Sequence, residues 1–185
     1  MSYADKINWH KSYGPKTGLT GLGTGGAGVT MQHFTVDGFH IMTKLTVNGV
    51  MPAVTGTIGV GLKVFEFPAG VHSLKVARMS IALTAADGNI DDDTPELSLG
   101  SVIVVGAVAT MTTATWEDIL TAQVAVCDGT VEEKTLVSAT AGHIVNEAAG
   151  VKNVFLNMAD IWAGAEANCP VTGEIWLEWT RMSGT

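Results

Sequence analysis

From Met31 onward apolar and polar residues alternate with a period of two, and that pattern excludes most folds open to a chain of 185 residues. In the stretch from Phe39 to Val47, Ile41, Thr43, Leu45 and Val47 fall on one face, with His40, Met42, Lys44 and Thr46 on the other. Successive side chains of a strand point to opposite sides, so such a run reads as a half-buried β-strand. Gly56 to Pro68 repeats the pattern, placing Ile58, Val60, Leu62 and Val64 on one side and Gly59, Gly61 and Lys63 opposite. Val71 to Thr84 follows, with Met79, Ile81 and Leu83 in register. Further strand-like runs are Leu97–Val105, Thr135–Thr140, Val151–Met158 and Val171–Met182. In the last, Ile175, Leu177 and Trp179 alternate with Glu174, Trp176 and Glu178, so at most one of the two Trp faces the core.

Turn chemistry separates these runs: Asn48-Gly49, Pro68-Ala69-Gly70, Asp87-Gly88-Asn89, Asp128-Gly129 and Thr172-Gly173. Two segments hint at helix, Thr115–Leu120 with its capping-type start and Met158–Ala165, but neither offers three turns. Short strands with frequent turns predict an all-β, antiparallel sandwich, and a jelly roll of about eight strands fits the length. The chain suits one domain, which at about 150 residues or more buries roughly 70% of its unfolded surface without help from disulfides or metal.

Residues 1–30 differ from the predicted sandwich at 31–185. They hold Trp9, His10, Tyr13 and Pro15, then the Gly-rich run from Gly18 to Gly28. So much glycine forgoes side-chain contacts and makes ordering entropically expensive, which predicts an arm and not core. Trp9, Tyr13, Leu19 and Leu22 are its candidate anchors on a neighbouring surface, and Trp176 is a fifth interface candidate.

Charge narrows the function classes. Charged residues are 15% of the chain, well under the roughly 25% of soluble proteins, so much of the exterior must be Thr, Ser, Gly and Ala. Depletion of charge marks the centres of protein interfaces, which predicts an exterior partly covered by copies of the chain or by a partner. Net charge is −8 and the ten Lys and Arg are scattered, so no nucleic-acid footprint is expected. The longest apolar stretch, about Leu97 to Met111, contains Ser and Gly and is too short to span a bilayer. The opening residues are polar, so no signal peptide is expected.

Catalytic and cofactor motifs are weak. Gly21-Leu22-Gly23-Thr24-Gly25-Gly26 matches a dinucleotide fingerprint in letters, but strand-like sequence follows it where a helix is required. The acidic stretch Asp87 to Asp93 places Asp87, Asn89 and Asp91 like the start of a calcium loop. That loop needs Gly at its sixth position and Glu at its twelfth, where this chain has Asp92 and Ser98. Five histidines show no metal-ligand spacing. Cys127 and His143 are a conceivable nucleophile pair, and Cys127 with Cys169 allows one disulfide. Glu174 and Glu178 carry no glycosidase signal of their own. No cofactor is expected, and the chain does not read as an enzyme.

From about Gly56 to Thr180 the chain resembles the small β-rich proteins that tailed bacteriophages encode beside the major capsid protein. The resemblance is carried by Phe65–Gly70, Ser80–Thr84, Asp93–Gly100, Trp116–Ile119, Phe155–Asp160 and Val171–Thr180. It implies a virion protein assembled in the host cytoplasm, a decoration or cement protein on the outside of the head. Its implied partners are the major capsid protein and itself, as a homodimer or homotrimer. The family offers no active-site residues to carry over. The alternative is a carbohydrate-binding or host-attachment sandwich of the virion, with an exposed Trp as platform.

Overall fold

A computed structural model describes residues 22–35, 40–91, 93–137, 143–146 and 153–182. Eleven strands are among them, in two antiparallel sheets packed face to face. They are β1 (Thr24–Gly25), β2 (Val29–Thr35), β3 (His40–Met51), β4 (Thr57–Glu66), β5 (Val71–Thr84) and β6 (Glu96–Gly100). After a long connection come β7 (Leu120–Val124), β8 (Asp128–Val137), β9 (His143–Asn146), β10 (Asn153–Ile161) and β11 (Cys169–Arg181). The smaller sheet has the order β1-β4-β10-β6-β7. The larger has β2-β3-β11-β5-β8, with β9 also pairing β5.

The pairing has a simple logic. β3 pairs with β11, β4 with β10, β5 with β8 and β9, and β6 with β7. The chain therefore runs out through β3 to β6 and returns through β7 to β11, as one long double strand rolled into two layers. The β6–β7 connection is the tip of that double strand.

The alternation read from the sequence decides which side chains fill the space between sheets. Ile41, Thr43, Leu45 and Val47 of β3 are all at 1% exposure or less, and so are Ile175, Leu177 and Trp179 of β11. Val60 and Val64 of β4 are buried beside them, with Ile58 and Leu62 packed partly buried on the same core. At one end of the core sits an aromatic group. Phe67 stands edge-on to Trp179 at 5.4 Å, Phe65 edge-on to Phe67 at 4.9 Å, and His72 stacks on Phe67 at 5.7 Å. Thr43, the one hydroxyl in the inward row of β3, is kept there by bonding. The Trp179 Nε1–H donates to its Oγ1 at 2.9 Å, and His33 Nδ1 lies 3.0 Å from the same oxygen.

The structure corrects three expectations and separates one conceivable pair. Residues 22–30 do not form an arm: Leu22 is 6% exposed in the main core, β1 pairs with β4, and β2 already begins at Val29. A side chain at Gly26 would run into the Lys63 carbonyl, so the glycine run lets backbone lie directly on β4. The strand expected over Leu97–Val105 stops at Gly100, because the chain turns out of the sheet at Ser101. The helix expected near Thr115 is a single 3-10 turn, Ala114–Trp116, and Met158–Ala165 continues β10 to Ile161 before becoming a loop. Lastly, Cys127 and His143 cannot act together. Asp128 pairs with Thr84 and His143 with Leu74, so they lie ten residues apart along β5, about 33 Å at strand rise.

Candidate interaction surfaces

The outer face of the smaller sheet is covered by its own chain. Residues 101–119, between β6 and β7, fold back as a strap over β4 and β10. Gly59 and Gly61 sit on the outward face of β4, where the alternation leaves no side chain, and this is what admits the strap. A Cβ on Gly61 would stand 2.6 Å from Ile103, and one on Gly59 would stand 3.1 Å from Val108. The Gly59 N–H donates to the Gly106 carbonyl at 2.9 Å, an isolated bridge between sheet and strap. Beneath the strap, Val104 and Met111 pack on Ala159, with Val108, Trp116 and Ala122 around them.

Asn157 of β10 is the strap's anchor. It is fully buried, and its Oδ1 accepts from the Val104 N–H at 3.0 Å. Its Nδ2 donates to the carbonyls of Val102 at 3.0 Å and Trp116 at 2.8 Å. Ser98 Oγ donates to that same Trp116 carbonyl at 2.8 Å. Carboxylates hold the rest: Asp118 accepts from the Ser101 N–H and hydroxyl, and Glu96 accepts from the Met111 N–H. A buried amide that is fully bonded specifies one position for the segment it holds.

What the strap presents outward is unusual. No residue from Ser101 to Thr115 is ionisable. Val102 is 42% exposed and Val105 67%, and the same sheet adds Ile161 at 68% and Val124 at 55%. Four of the six large hydrophobics exposed among the described residues thus belong to this one sheet and its strap.

The outer face of the larger sheet has the opposite character. Down β11 run Glu174, Trp176 and Glu178; across the sheet, Trp176 stands in register between Lys44 of β3 and Arg78 of β5. Trp176 is half-buried, stacked with Phe34 of β2 at 6.2 Å, with the Lys44 ammonium 5.2 Å over its ring. Lys44 pairs with Glu174, whose carboxylate also accepts from the Trp176 Nε1–H at 3.3 Å. An indole so occupied by its own neighbours is a poor stacking platform for sugar.

The acidic turn is built as structure. The Asp87 N–H donates to Glu166 Oε1 at 3.0 Å, Asn89 Nδ2 to the Ala165 carbonyl at 2.9 Å, and the next residue, Ile90, is fully buried. Two of the three residues placed like the start of a calcium loop tie this turn to the loop after β10, Asp87 through its backbone N–H and Asn89 through its side-chain amide. Among the described residues no group of three or more His, Cys, Asp or Glu could hold a metal ion. Nearby, Asp160 has its carboxyl raised above the usual range by burial and by the Asp93 carboxylate. Cys127 and Cys169 are fully buried free thiols in hydrogen-bond contact, and that contact with burial pushes the Cys127 thiol up, away from the reactive thiolate.

Of the interface candidates, Trp176 lies on an outer face, whereas Leu22 faces inward and offers nothing to a partner. Trp9, Tyr13 and Leu19 lie outside the described residues. The sequence hides the strap because Leu97–Val105 is as apolar as any strand. Its signal was the outward Gly59 and Gly61, which mark a sheet face approached by other backbone. No family model, curated protein or solved structure matches the chain.

Proposed function

We propose that this chain is a structural virion protein, without enzymatic activity, that binds the outside of a tailed-phage capsid and stabilises it by bridging capsomers. The observation that carries this reading is the strap face: rigidly anchored, free of ionisable groups from Ser101 to Thr115, and edged by exposed Val and Ile. Exposed apolar surface gathered in one place marks sites that meet other protein. A bridging subunit needs no chemistry, only a stiff body with area to bury, on the order of 1,200 to 2,000 Å² in a stable contact. We read the two-layer double strand as a jelly roll, which supplies that stiffness.

Purified heads stripped of the protein by mild denaturant should rupture at lower temperature than intact heads, and re-adding it should restore the difference. A Val105→Glu variant, folded normally, should fail to rebind. Stripped heads as heat-resistant as intact ones would remove the stabilising role.

A further inference from the structure

We propose that the outer face of the larger sheet is a self-complementary contact for a second copy of this chain, with the two sheets crossed at about a right angle. The inference goes beyond the capsid reading, since it concerns the face opposite the strap.

Charge geometry defines the contact. The face carries a cross centred on Trp176: acidic along the strand, through Glu174 and Glu178, and basic across the strands, through Lys44 and Arg78. Two-residue steps along a strand are about 6.6 Å and neighbouring strands about 4.8 Å apart. The acidic arms therefore reach about 6.6 Å from the centre and the basic arms about 4.8 Å, a mismatch that flexible Lys and Arg side chains absorb. Consider a two-fold axis lying between two facing sheets, diagonal to the strands. It exchanges the strand direction with the cross-strand direction, so the basic row of each copy falls over the acidic column of the other. Arg78 of one copy then meets Glu178 of its partner, and the same pair forms again in reverse, as any two-fold contact requires. Trp176 meets Trp176 near the axis, with Phe34 beside it.

The arrangement also fits how each charge is placed within one copy. Lys44 and Glu174 already pair with each other, while Arg78 and Glu178 are exposed at the ends of the cross. With −8 on each chain, two copies approach most easily where local charges of both signs interleave.

Sedimentation equilibrium on the full chain tests this. The wild type should dimerise, more weakly as salt is raised. Arg78→Glu and Glu178→Arg, both at exposed positions, should each weaken the dimer at least tenfold while leaving unchanged the thermal midpoint measured at dilutions where the wild type is monomeric. The double substitution Arg78→Glu/Glu178→Arg, which regenerates both reciprocal pairs, should return the dissociation constant to within about threefold of wild type. A monomeric wild type at 100 µM (~2 mg/ml), a trimer, a dimer indifferent to the single reversals, or failure of the double variant to recover would each overturn the proposal. Head binding by a dimer-deficient variant separates this failure from failure of the capsid reading, because the strap is untouched.

Discussion

Replacing Asn157 by Ala tests the strap's anchorage most sharply. The substitution removes three hydrogen bonds at a fully buried position. The groups left behind do not lose equally. The Trp116 carbonyl keeps Ser98 Oγ as a donor, so its loss is near the ordinary net value of about 1 kcal/mol. The Val104 N–H and Val102 carbonyl lose the side chain that held them under the strap, each at roughly 1 to 2 kcal/mol. The sum, about 3 to 5 kcal/mol, is an upper bound, because the strap can detach and rehydrate its backbone while the sandwich stays folded. Detachment exposes Val104 and Met111, so the saving is modest. Urea denaturation should show a loss of about 2 to 4 kcal/mol, or roughly 4 to 16 °C in melting temperature for a chain of this size. Hydrogen exchange should show the Val104 amide losing protection ahead of the amides of β11. A loss under about 0.5 kcal/mol with Val104 still protected would refute the assignment of Asn157 as anchor.

Other expectations follow from the core and the surfaces. Trp179→Phe should destabilise by about 1 to 3 kcal/mol in urea, through the lost bond to Thr43 and the smaller ring. Burial lowers the His33 pKa. Its stabilising effect is therefore present above the unfolded value near 6.5 and is lost as pH falls from there toward the lowered folded value. His33→Gln should flatten that limb of a stability–pH curve; an unchanged limb would exonerate His33. Asp160 has the opposite sign: its raised carboxyl burdens the fold at neutral pH, and the burden lifts as pH falls through the raised value. Asp160→Asn should make stability less dependent on pH in that range. On a glycan array the protein should show no saturable binding, since Lys44 and Phe34 occupy Trp176; binding abolished by Trp176→Ala would favour host attachment instead.

The sandwich was legible in the sequence because burial on one face enforces a period of two, and β3 and β11 follow it residue by residue. The same rule told which Trp enters the core only up to a choice. Trp179 is inside because its row includes Ile175 and Leu177, and Trp176 is outside because its row includes two Glu. Local pattern failed where a segment is apolar for a reason other than strand formation. Ser101–Val105 lies on a sheet's outer face with Ser101 and Val104 buried beneath it, and a strap over glycines has the composition of a strand without its ladder. Local pattern misleads again beside Leu22, where the glycines provide not freedom but clearance for backbone to lie on β4. Sequence spacing also said nothing of Cys127 and Cys169, brought together only by the rolling of the chain.

A reconstruction of the decorated head bears most directly on the whole account. It should show this chain on the outer shell with residues 101–115, Val105 among them, pressed against the capsid surface and excluded from water. Density that leaves that face open to solvent, or a shell without the chain, would contradict it.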